Sequence, residues 1–292
     1  MKSRPFAYHY PETVQQALAM LASVSSQGGR ILAGGQSLVP MMALRLADPS
    51  DLVDINGIRE LNFVKIEDQF LVVGATARHA SFHRPRYEDP LNRLFAEVVR
   101  NIAHYPIRTR GTMCGSLANA DPASEWCLTA TVLGAMLDVR SQRAQRTIST
   151  SDFITGPMST LLEADEMLVA IKYPMLPPDA VFGFYEFSRR KGDFALAMSL
   201  VTFCVRSGVV VGPRVGIGGV EDAPRQLAEA EKTLLGHAPS DLLFRRCAEV
   251  AAESVTPTFD ERIPDGNRRK LVRAVVYRSL LQAARRIPSK NR

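Results

Sequence analysis

Apolar residues recur along this chain at two spacings, and together they lay out an α+β protein. Behind Thr13, the residues Val14, Ala17, Leu18 and Leu21 fall on one face of a helix. Thr13 followed by Gln16 has the spacing of a capping box, and Gly28-Gly29 ends the helix. Short apolar runs bounded by turn residues predict strands over 30–32, 52–55, 63–66, 70–75, 136–139 and 167–171. Asn56-Gly57 closes the second of these, and Glu67-Asp68-Gln69 turns between the third and fourth. Leu91, Leu94, Phe95, Val98 and Ile102 predict a helix between the two groups of strands. Pro174, Pro177 and Pro178 mark a linker. Beyond it come strands over 200–205 and 209–211, continued by 216–220, and then helices over 225–235, 241–254 and 267–285. Strands followed by helices make an α+β unit. The expected division is therefore 1–57, 58–176 and 177–292, with no internal repeat.

The composition leaves this picture in place. With 292 residues, 46% hydrophobic and 23% charged, the chain is an ordinary globular sequence of more than one unit. No apolar run approaches the roughly 20 residues that cross a bilayer, and the N-terminus has no signal-like core, so the expected location is the cytoplasm. The net charge of +6 hints at nucleic acid until its distribution is seen. Nine of the 36 Lys and Arg residues lie between 266 and 292 with no acid among them, which leaves 27 basic against 30 acidic residues elsewhere. Val272, Val276, Leu280 and Ala283 give that segment an apolar stripe, so it reads as a helix with a solvated basic face, a docking element rather than a nucleic-acid site.

Candidate chemistry concentrates in two glycine-rich stretches. Ala33-Gly34-Gly35-Gln36-Ser37 follows a strand, and Gly111-Thr112-Met113-Cys114-Gly115-Ser116 runs on through Leu117 to Pro122 as a long, irregular loop. Glycine admits close backbone approach and positive φ, and two such loops converging would offer free N–H groups to a pyrophosphate. Neither stretch matches the G-x-G-x-x-G fingerprint or the P-loop. Taken alone, the first is equally a plain turn. Glu125 could accept ribose hydroxyls or simply be a helix-start acid, and Asp121-Pro122 could be a turn. The segment 188–194, with Arg189, Arg190, Lys191 and Phe194, is either a loop reaching over a cofactor or a solvated hairpin. Cys114, Cys127, Cys204 and Cys247 are irregularly spaced, and the five histidines show no ligand spacing, so no metal site is expected from this chain. No nucleophile elbow is present, which leaves a hydrolase without support.

Taken in order, these stretches resemble the FAD-binding medium subunit of the molybdenum hydroxylases, a group that includes the aerobic carbon monoxide, xanthine and aromatic-heterocycle dehydrogenases. The residues that carry the resemblance are 6–11, 33–40, 52–56, 112–122, 189–195 and 218–220, and they span nearly the whole chain. The resemblance implies the two-subdomain FAD-binding fold of the vanillyl-alcohol oxidase type, plus a smaller C-terminal α+β domain. It implies that Ala33, Gly34, Gly35, Gln36, Ser37 and Leu38, with Thr112, Cys114, Gly115 and Ser116, hold the pyrophosphate of FAD. Ala120, Asp121 and Glu125 would lie toward the ribose and adenosine, and Lys191 and Phe194 near the isoalloxazine. It further implies a small [2Fe-2S] subunit and a large molybdenum-cofactor subunit as partners, in a dimer of heterotrimers. Electrons would pass from the clusters through FAD to an external acceptor, with no catalytic side chain and no metal in this chain. Two positions depart from the family: Gln36 replaces a frequent histidine, and Cys114 stands at the first glycine of T-x-G-G. If position 114 takes positive φ, Cys would strain it. The rivals are a stand-alone FAD oxidoreductase of the same fold and a non-enzymatic nucleotide-binding module.

Overall fold

The computed structural model describes residues 2–258, 263 and 265–288. Lys290 and Arg292 of the basic segment lie outside the described residues.

The first sheet is parallel. Strands β1 (Ala7–His9), β2 (Arg30–Leu32) and β3 (Asp51–Asp54) stand in the order β1-β3-β2. The helix Val14–Val24 buries Val14, Ala17, Leu18 and Leu21, as its periodicity predicts. Thr13 Oγ1 accepts from the Gln16 amide at 3.2 Å, while Gln16 Oε1 accepts from Glu12 N–H at 2.9 Å, so the reciprocal arm of the cap sits one residue early. Asn56 begins no new element. It lies in the turn Ile55–Gly57, with its N–H and side chain on Asp54.

The second sheet is antiparallel. It comprises β4 (Val64–Glu67), β5 (Phe70–Gly74), β6 (Met136–Arg140) and β7 (Gln145–Ser149), with the small hairpin β8 (Ile154–Gly156) and β9 (Ser159–Thr160) apart. Strand β10 (Met167–Pro174) stands at its centre, in the order β4-β5-β10-β6-β7. Pro174 is therefore the last residue of a strand, paired with Phe70, and not part of the linker. The helix Pro90–Val98 begins at Asp89, whose side chain caps Asn92 N–H, and it ends before Ile102, which packs from the following turn. Its Phe95 meets Trp126 and Tyr173 edge-on, with centroids at 5.2 and 4.8 Å. Each of these rings is fully buried, a contribution of roughly 2–3 kcal/mol apiece.

The third sheet, β11 (Val181–Phe187), β12 (Ala197–Arg206), β13 (Val209–Gly218) and β14 (Arg225–Gln226), is antiparallel in chain order. The apolar runs 209–211 and 216–218 are two ends of one strand. Residues 225–226 pair with β13, so the helix expected from 225 starts at Ala228. Strand β12 is buried from Ala197 to Val205 because helices cover both faces. At Gly183 a Cβ would come 1.9 Å from Ser279 O, so glycine lets the helix Asp265–Arg285 lie directly on β11.

That last helix buries Val272, Val276, Leu280 and Ala283, but its basic face is not simply solvated. Arg268 is only 5% exposed and donates to Gly219 O and Thr258 O. Arg273 pairs with Glu249, Arg278 donates to Tyr185 Oη, and Arg286 pairs with Glu97 while donating to Phe182 O. Much of this charge instead ties the helix to its own unit, and Arg286 alone among these residues reaches Glu97 of the second unit. The first two sheets share one buried core, which Phe182, Phe184, Met198 and Leu200 of the third sheet also enter, while the other face of the third sheet packs into a second core.

Candidate functional site

The two glycine stretches meet. A Cβ on Gly34 would lie 2.5 Å from Arg110 O and 2.6 Å from the Gly111 Cα, so the backbones touch with no room for a side chain. Gly35 takes φ +69, a conformation that favours glycine. Asn56 Nδ2 and Gln36 Nε2 donate to the carbonyls of Ala33 and Gly34 at 2.8 and 2.9 Å. With those carbonyls engaged, the N–H groups of Gly35 and Gln36 find no acceptor among the described residues.

The second stretch is not an irregular loop. It is a short helix, Met113–Asn119, with Thr112 as its cap: Thr112 Oγ1 accepts from Gly115 N–H at 3.0 Å. Cys114 is helical and its φ is not positive, so no strain arises there. Its thiol is buried and directed at Val73 O, and burial pushes it up to about 12, which leaves it a protonated core thiol. All four cysteines are free and buried.

The segments enclose a cleft of about 790 Å³. Ala33, Gly34, Gly35, Gln36, Ser37, Leu38, Thr112, Cys114, Gly115 and Ser116 all border it. Ala120, Asp121, Glu125, Lys191 and Phe194 do not. Asp121 accepts from Ala123 N–H at 2.8 Å in a tight turn, and burial raises its pKa. Glu125 lies in the first turn of the helix Glu125–Leu133. Its carboxyl meets that of Glu186 on β11, and desolvation holds both well above the usual carboxylate range, so the pair keeps a proton. Lys191 and Phe194 lie on the β11–β12 hairpin, where Gly192 (φ +90) packs against His104. Phe194 is 73% exposed.

One lining residue carried no sequence signal. His79 borders the cleft yet is 4% exposed. Trp126 Nε1–H donates to its Nδ1 at 3.0 Å, and desolvation, reinforced by Arg108 and Arg78, lowers its pKa to about 3. The ring is therefore neutral, with its proton on Nε2, the atom beside Gly111. The rim from Leu46 to Pro49, and Met158 to Thr160 of the small hairpin, also escaped notice.

With this geometry in view, the comparisons are decisive. Residues 4–176 match the model for the FAD binding domain in molybdopterin dehydrogenase, and residues 182–283 match the CO dehydrogenase flavoprotein C-terminal domain. The chain belongs to the FAD-binding medium subunits of the molybdenum hydroxylases. It is 34% identical to the caffeine dehydrogenase subunit beta of a Pseudomonas species, over 98% of this chain and 97% of that one. It is 32% identical to the nicotine 6-hydroxylase medium subunit of Paenarthrobacter nicotinovorans, over 98% and 100%. Among solved structures, carbon monoxide dehydrogenase of Hydrogenophaga pseudoflava superposes with a TM-score of 0.93 at 31% identity, covering 98% and 99% of the two chains. Quinoline 2-oxidoreductase of Pseudomonas putida 86 gives 0.91 at 34% identity, with the same coverage. This medium subunit is thus an FAD-dependent part of an oxidoreductase, with the two-part FAD-binding and C-terminal architecture its sequence implies. Its relatives are subunits of multi-subunit dehydrogenases, and no helix among the described residues is long and apolar enough to cross a membrane.

Proposed function

We propose that this medium subunit takes electrons from [2Fe-2S] clusters on a small partner subunit and delivers them through FAD to an external acceptor, while a large subunit oxidises the substrate at molybdenum. We place the complex in the cytoplasm as a dimer of heterotrimers. The observation that carries the cofactor's placement is the side-chain-free contact of Gly34 with Arg110 and Gly111, which sets two glycine segments side by side along one cleft. FAD, when bound, supplies the redox chemistry. The chain's own task is to hold and orient it.

The unengaged N–H groups of Gly35 and Gln36, with Ser37, Thr112, Gly115 and Ser116, would face the pyrophosphate. Nε2–H of His79 would add a neutral donor from below. Phe194, held out on its hairpin with Lys191, would lie toward the isoalloxazine. Ala120, Asp121 and Glu125 stand past the cleft lining, so a ribose role for the two acids requires the cofactor to extend beyond the end of the helix Met113–Asn119.

The test starts with the purified chain. Its absorption spectrum should show flavin, and the released cofactor should be FAD, with iron and molybdenum appearing only after co-expression with the partner subunits. A colourless chain that takes up no added FAD would overturn the proposal. Glu125→Ala should weaken FAD more than FMN, since only FAD has the adenosine end; equal weakening would remove the ribose role.

A further inference from the structure

Along β6 and β10 the two faces of the second sheet differ in kind. Leu137, Val139 and Ile171 enter the core, whereas Asp138, Arg140 and Lys172 border a second cavity of about 320 Å³. Its apolar wall is Val14, Leu61, Phe63 and Val72. The charged groups opposite each have a hydrogen-bond or ion-pair partner, with one exception. Lys172 bridges to Asp138 at 2.7 Å, and Asp138 also accepts from Thr147 Oγ1 at 3.0 Å. Lys65 bridges to Glu67 at 2.9 Å, and Glu60 accepts from Val14 N–H at 3.0 Å. Arg140 has no side-chain partner among the described residues, and its Nε is buried. A buried donor on a cation is costly to leave unmet.

We propose that this cavity binds a small monocarboxylate with an apolar body, its carboxylate held side-on by Arg140. Side-on pairing uses Nε together with one terminal nitrogen, so it satisfies the buried donor. The charge count selects the class. Lys65 and Lys172 are already bridged to Glu67 and Asp138, so Arg140 is the lining cation left without an acid partner among the described residues, and a single guanidinium suits one negative charge better than the two of a phosphate. The apolar wall would take the body of the ligand, and the volume is at the lower end for small-molecule sites.

The probe is benzoate, titrated calorimetrically into the full chain, with inorganic phosphate as the comparison. Benzoate should saturate and bind at least about tenfold more tightly than phosphate, and Arg140→Gln should weaken it at least about tenfold. Arg143→Gln, which breaks an exposed pairing with Glu163 and Asp165 outside the cavity, should leave benzoate binding unchanged. The thermal midpoint without ligand shows whether each variant folds. Should Arg140→Gln not fold, Arg140→Lys keeps the charge but loses the side-on pair, and should bind benzoate more weakly. Absence of saturable benzoate binding, equal affinity for phosphate, or an Arg140 variant with undiminished binding would each overturn the proposal. So would an Arg140 variant that binds benzoate normally but no longer co-purifies with partner subunits, because the unpaired cation would then serve the assembly.

Discussion

In the first glycine segment the backbone needs glycine at two adjacent positions for different reasons: Gly34 because Arg110 O and Gly111 leave no space, Gly35 because its φ is +69. In the second segment the backbone is ordinary helix from Met113 onward, and glycine is needed only where neighbours crowd it. A Cβ on Gly111 would meet His79 Nε2 at 2.6 Å, and one on Gly115 would meet Thr112 Oγ1 at 2.7 Å. Cys114 sits between them with its side chain turned into the core, where a thiol fits. Gly34 and Gly35 therefore tolerate almost no substitution. Outside Gly111 and Gly115, the second segment tolerates whatever its core accepts.

The difference can be attacked in steps. Gly34→Val should have the largest effect: it forces the two segments apart, abolishes FAD retention and lowers stability by about 3 kcal/mol or more, read by flavin content and thermal midpoint. Full flavin occupancy would mean the contact is not the floor of the site.

His79, under the second segment, gives a pH signature. Above its unfolded pKa near 6.5 the ring is neutral in both states and contributes no slope. As pH falls from 6.5 toward about 3, the unfolded chain takes a proton that the native ring refuses, so stability declines, by roughly 3 kcal/mol at pH 4. Denaturant titrations across that window should show a smaller decline for His79→Gln. An identical decline would place the ring in contact with water.

Gly35→Ala should cost about 1–2 kcal/mol through the left-handed backbone, with weakened but measurable FAD binding. Cys114→Gly, which installs the glycine that the resemblance implies, should instead cost about 1 kcal/mol through helix propensity and a small void while leaving FAD affinity unchanged. Tighter FAD binding in that variant would show that the thiol hinders the site. Phe194→Ala should change stability by less than about 0.5 kcal/mol, since the ring is exposed, but should alter the fluorescence of bound flavin. An unchanged spectrum would separate Phe194 from the isoalloxazine.

What was legible in the sequence follows from where its signals lie. The helix Val14–Val24 carries its burial pattern and its cap within a dozen residues, and both appear as read. Strand β7 has one buried residue, Ile148, so an edge strand of this kind leaves no apolar pattern to find. Strand β11, by contrast, shows its character in Phe182 and Phe184 and was simply overshadowed by the prolines before it. In the site, the glycine segments could be recognised because crowding and positive φ restrict residue type. His79 could not, because its proton is fixed by Trp126, a partner 47 positions away. Arg268 and Arg286 looked like surface charge because nothing local reveals that their acceptors are Gly219 O and Glu97.

The close seating of the helix Asp265–Arg285 on Gly183 has a consequence for biosynthesis. The strands of the third sheet leave the ribosome well before the helix that covers them. During that interval one face of β11 and β12, apolar along nearly its whole length, is bare and open to self-association. The nascent chain is therefore most in need of a chaperone late in translation.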